Sequence, residues 1–142
     1  MRALHVVLDT NVVFSAMRSS NGASFQILRL LGQDLFTLSV SVPLVLEYEA
    51  TAKRYLDDLP FDATAVEAMI DYICGVARAQ EIHFRWRPML RDPGDEMVLE
   101  LAVAARCDAI VTFNKRDFQG IEQFAVRLLT PVGFLREIGL AK

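Results

Sequence analysis

The chain has 142 residues, 53% of them apolar, and a mean hydropathy of +0.28, which suits one domain (residues 1–142) with a real core. A net charge of −3 and a pI of about 5.3 exclude a protein that coats nucleic acid by charge alone, but not a nuclease whose acidic site lowers the pI. No stretch reaches the roughly 20 apolar residues of a membrane helix, and His5, Asp9 and Asn11 interrupt the opening run, so neither a membrane span nor a signal peptide is expected and the expected location is cytoplasmic. The apolar excess leaves surface for a partner or a second copy.

The elements alternate along the chain. Leu4-His5-Val6-Val7-Leu8 reads as a buried parallel strand. A helix is expected from near Val12 and, after Ser19-Ser20-Asn21-Gly22, again over 23–31. Residues 36–40 read as a short strand, and Ser41 caps a helix that carries Pro43 in its first turn and runs to about Tyr55. After a loop over 56–61, Thr64-Ala65-Val66-Glu67 has the form of a capping box and opens a helix to Ala79. Residues 82–84 make a further candidate strand. Asp92-Pro93-Gly94-Asp95 starts a helix through Arg106, residues 109–112 and 126–129 read as strands, and Thr130-Pro131 opens a terminal helix that ends at Gly139. Strands alternating with helices predict a three-layer α/β/α sandwich around a central, mostly parallel sheet. Cys74 and Cys107 lie in apolar helical stretches and read as buried free thiols.

Four acidic groups fall where a sheet edge gathers ligands. Asp9 ends the first strand, at the carboxyl edge where open α/β folds bind, and reads as a cap or as one wall of a cation site. Glu47 and Glu49 flank the apolar stripe of their helix on opposite edges, and the helical wheel leaves the choice open. Asp92 reads as an N-cap. Asp95 falls between Leu99 and Ala102 on the apolar face, whereas Glu96 and Glu100 fall on the side expected to be solvated. Asp117, in Thr112-Phe113-Asn114-Lys115-Arg116-Asp117-Phe118, is a turn cap or a ligand.

The ordered set of Leu8-Asp9-Thr10-Asn11, a mid-chain helix glutamate, Asp-Pro-Gly-Asp-Glu at 92–96 and the 112–118 block resembles the PIN-domain family, which includes the VapC-like toxins of bacterial toxin–antitoxin pairs. The likeness extends over essentially the whole chain. It implies a metal-dependent endoribonuclease with an acidic pocket at the sheet edge, an antitoxin partner and Mg²⁺ or Mn²⁺ as cofactor. Carried over by motif position, the metal-binding and catalytic acids are Asp9, Glu47 and Asp95. The fourth corner is Asp117, the position some relatives use, or Asn114, which stands where many others carry the acid. Oxygen ligands suit hard cations, whereas zinc would want His or Cys. Thr10, Asn11, Thr112 and Asn114 are the side chains placed to orient these carboxylates or hold a water. Lys115 and Arg116 are the expected phosphate contacts. The run His83-Phe84-Arg85-Trp86-Arg87-Pro88-Met89-Leu90-Arg91 could grip single-stranded RNA or be a solvated loop around a packed Trp86. A homodimer is expected from the apolar excess. The alternative is a catalytically weak or inactive PIN-fold module that binds RNA or protein, kept open by Asn114. A phosphatase built on Asp9 would want an acid two residues on, where Asn11 stands.

Overall fold

A computed structural model describes residues 3–82, 90 and 92–140, with the side chain of Glu122 left aside. In it, strand β1 (Leu4–Leu8) leads into α1 (Thr10–Arg18) and α2 (Ala23–Arg29), and β2 (Phe36–Val40) into α3 (Val42–Arg54) and α4 (Ala63–Val76). Then come β3 (Arg78–Ala79), α5 (Pro93–Ala104), β4 (Ala109–Val111), β5 (Arg127–Leu129) and α6 (Pro131–Glu137). The five strands form one all-parallel sheet in the order β3-β2-β1-β4-β5. The expected α/β class with helices flanking a central sheet is what the chain adopts.

The order has a functional consequence. From β1 the chain steps to β2 and β3 on one side, then returns to β4 and β5 on the other. Right-handed crossovers in opposite directions put their connections on opposite faces, so a crevice opens at the carboxyl ends of β1 and β4. Those two strands are the most buried: Val6, Val7, Ala109, Ile110 and Val111 are fully enclosed. Helix α5 packs against β1, β2 and β4, while α1 packs against α2 and α3, and α6 reaches α2. Phe134 of α6 meets Phe36 of β2 edge-on, with ring centroids 5.0 Å apart.

Several local expectations need correction. Helix α1 starts at Thr10, not near Val12, because Asp9 itself is the N-cap. The cap of α4 is Asp62, whose carboxylate accepts the Ala65 N–H at 3.0 Å; the Thr64–Glu67 box does not form, and Glu67 instead pairs with Lys53 at 2.9 Å. Helix α4 ends at Val76 rather than Ala79. The chain turns extended at Ala77 and pairs with the exposed edge of β2, where Gln80 N–H donates to the Val40 carbonyl at 2.8 Å. The third strand is therefore Arg78–Ala79, and the expected strand at 82–84 falls mostly outside the described residues. The basic and aromatic run 83–91 lies outside them too, apart from Leu90. Cys107 is buried and its thiol is pushed up to about 12 by burial, but Cys74 is exposed because α4 buries only the stripe Val66, Ile70 and Ile73. No helix among the described residues is long and apolar enough to cross a membrane.

Candidate active site

Asp9 is the centre of the crevice. It is 6% exposed, and each carboxylate oxygen is held: Oδ1 accepts the Thr10 N–H at 2.8 Å, and Oδ2 accepts the Thr112 hydroxyl at 2.7 Å. Asp9 is thus the cap of α1, as one reading had it, and it also lines the crevice. Its own N–H donates to the Val111 carbonyl at 2.9 Å, which continues the β1–β4 ladder one residue further. The Thr112 hydroxyl also accepts the Asn114 N–H at 3.0 Å, and Asn11 Oδ1 accepts the Phe113 N–H at 3.4 Å. The residues expected to orient the carboxylates therefore tie β1 to the turn after β4. Local backbone bonding and support of Asp9 are here the same contacts.

An open cleft of about 810 Å³ surrounds Asp9, and Glu47, Asp95, Asn114 and Asp117 line it. Asp58 and Asp92 add carboxylates to its wall. The structure resolves the choice the helical wheel left open: Glu47 faces the cleft and takes a 3.3 Å hydrogen bond from the Thr51 hydroxyl, while Glu49 turns outward to Lys53 at 3.7 Å. Asp92 caps α5 as expected, accepting the Gly94 N–H at 2.7 Å. A Cβ at position 94 would meet that carboxylate oxygen at 3.0 Å, so glycine suits the close approach. Asp95 is half-buried at the cleft wall rather than pointing into the core. Its neighbour Glu96, expected in solvent, is 7% exposed and accepts the Leu90 N–H at 2.7 Å. Leu90 meets that face of α5, a contact which a wheel drawn from the helix alone does not register. Glu100 is half-buried, with its carboxyl pushed up by burial and then by Glu96.

Carboxylates dominate the electrostatics of the cleft floor. Asp95 is pushed up to about 7, first by burial and then by Asp9, Asp92 and Asp117. Asp9 is raised by burial, an effect the Thr112 and Thr10 hydrogen bonds only partly offset and Asp117 and Asp92 reinforce. Among the described residues no lysine or arginine stands within ion-pair distance of these acids, and Arg18 is the only cation lining the cleft. No three of them are drawn close enough to form a ready-made coordination shell among the described residues. Lys115 and Arg116 are exposed and line an adjoining depression that shares Phe113, Asn114 and Asp117 with the cleft, not the cleft itself.

A family model described as PIN domain matches residues 5–116. This chain belongs to the PIN-domain family. The family is one of nucleases, so the coarse class of this PIN domain is a hydrolase acting on nucleic acid. Its fold is similar to that of VapBC2 from Rickettsia felis, solved bound to a DNA fragment from the promoter, with 13% identity and a TM-score of 0.62 over 89% of this chain and 98% of that one. It is also similar to VapBC-1 from nontypeable Haemophilus influenzae, with 12% identity and a TM-score of 0.54 over 90% of this chain and 98% of that one. No curated protein matches the sequence.

One residue that no motif singles out holds the PIN site together. Tyr48, 2% exposed, donates its phenol to the Leu8 carbonyl. Leu8 precedes Asp9 and Tyr48 follows Glu47, so a single hydrogen bond sets the two acid-bearing elements against each other. Tyr48→Phe leaves that carbonyl unpaired in the interior, and a stability loss of about 1–3 kcal/mol is expected by urea unfolding.

Proposed function

We propose that this PIN domain is a metal-dependent endoribonuclease and the toxin component of a toxin–antitoxin pair. The observation that carries the proposal is the gathering of Asp9, Glu47, Asp95 and Asp117 around one cleft, with Asp95 pushed up to about 7 beside the buried Asp9. Such a floor repels a phosphodiester unless a cation intervenes, and its all-oxygen donors fit Mg²⁺ or Mn²⁺. Asp9, Glu47, Asp95 and Asp117 would hold the ion. A bound divalent ion neutralises phosphate charge and lowers the pKa of water at the site. The chain's own residues do the rest. Thr112 and the Thr10 N–H fix the Asp9 carboxylate, Thr51 steadies Glu47, and Asn114 offers an uncharged oxygen at the fourth corner. Lys115 and Arg116, next to the cleft, receive the flanking phosphates.

The likeness in fold to the two VapBC proteins supports an antitoxin partner. A homodimer is supported by exposed apolar residues one turn apart on α3, Val42 and Leu46, at 74% and 59% exposure. The test of the reaction is incubation of the purified protein with single-stranded RNA in Mg²⁺ or Mn²⁺. Cleavage is expected in either ion and none in EDTA. Intact RNA under all conditions, with binding retained, would favour the non-catalytic PIN module that Asn114 allows.

A further inference from the structure

Three aromatic rings surround the acidic floor. Tyr55, just past the end of α3, is 47% exposed and meets Phe14 of α1 edge-on, with centroids 5.9 Å apart. Phe113, two residues past β4, is 49% exposed. All three line the cleft that contains Asp9 and Asp95. Helix α3 follows β2, Phe113 follows β4, and β1 lies between those two strands. The Tyr55 and Phe113 rings thus come to one cleft with Asp9 from elements that follow strands on either side of β1. A single exposed aromatic is ordinary, but half-exposed rings from separate elements around one polar floor mark a binding surface.

Their chemistry fits what a phosphodiester brings with it. A phosphate placed over the carboxylates carries one nucleoside to each side. In a duplex those bases stay paired and stacked; in a single strand they can splay out onto aromatic faces. The geometry points to Tyr55 and Phe113 as base-stacking platforms for the nucleotides on either side of the scissile phosphate. Phe14 packs against the Tyr55 ring at an interplanar angle of 70° and limits its movement. Arg18, exposed on the same wall, is placed for the strand's backbone. Every base has a π-face, so these platforms do not select sequence.

The inference rests on the ribonuclease reading, and the test separates the two. Wild-type protein is first assayed for RNA cleavage in Mn²⁺. Binding is then measured by fluorescence anisotropy of a labelled single-stranded RNA, with every protein carrying Asp9→Asn so that the RNA stays intact. Adding Phe113→Leu or Tyr55→Leu is expected to weaken binding about ten-fold each, with thermal unfolding unchanged because both rings are half in solvent. Tyr55→Phe, which keeps the ring, is expected to bind as its parent does. Abasic nucleotides at the flanking positions should weaken binding to the Asp9→Asn parent by a similar factor and leave the corresponding leucine variant almost unaffected. Cleavage by wild type, with leucine variants that bind like their parent or with the same abasic penalty in all proteins, overturns the stacking inference alone. Failure of wild type to cleave or bind any RNA overturns it together with the ribonuclease reading.

Discussion

Asp9→Asn is expected to lower RNA cleavage by more than about 100-fold, since loss of an outer partner of a metal ligand alone costs about 10- to 100-fold. The fold should survive. Asparagine keeps one oxygen for the Thr10 N–H, and its amide can donate to the Thr112 hydroxyl, which rotates from donor to acceptor. The substitution also removes a buried charge that faces Asp95, Asp92 and Asp117, so the metal-free protein should unfold at the same temperature or higher. Gel-resolved cleavage together with thermal unfolding monitored by circular dichroism reads both halves. Cleavage that persists in the variant and in EDTA would exclude Asp9 and the divalent ion from the reaction.

The second large effect is a reversal of pH dependence by the metal. Asp95 is raised from 3.8 to about 7 in the folded chain. A raised acid binds more protons folded than unfolded, so its contribution favours the native state below 3.8 and is lost as pH rises toward about 7. Metal-free protein should therefore be less stable at pH 8 than at pH 5. Asp95→Asn should recover about 1–2 kcal/mol at pH 8, a figure reduced from the full shift because the side chain is partly in solvent. Divalent cation acts the other way. Mg²⁺ or Mn²⁺ at about 100 times its dissociation constant adds about 2.7 kcal/mol to the wild type at pH 8 and much less to the variant. Urea titrations at the two pH values, with and without the ion, measure all four quantities. Equal stability of the metal-free protein at both pH values would show that Asp95 is not held up by its neighbours.

Much of the fold was legible because its signals are local. The run Leu4–Leu8 matches its strand residue for residue, as does 36–40, since short β-branched or apolar runs bounded by polar residues leave few alternatives. Ser41 and Asp92 cap the helices they were expected to cap, and the terminal helix opens at Thr130-Pro131 as expected, with Thr130 as its cap. Asp62 did not announce itself, because Thr64-x-x-Glu67 offered a competing pattern two residues on and the two differ only in which turn the chain closes first. The two-residue strand β3 had no periodicity to reveal it; it exists because β2 presents an edge to pair with.

The sequence by itself determined the class of fold, the element order and the position of Asp9 at the carboxyl end of a buried strand, all consequences of local apolar patterning and capping. Only the tertiary structure decided which helix edge met the cleft. A helical wheel fixes angles about its own axis and says nothing of what covers each side, so Glu47 over Glu49, and the burial of Glu96 beside Asp95, depended on neighbouring elements. Tyr48, Asp58 and the rings of Tyr55 and Phe113 became visible for the same reason. They are brought to Asp9 by the reversal of strand order between β2 and β4, a relation between segments about 70 residues apart that no local pattern encodes.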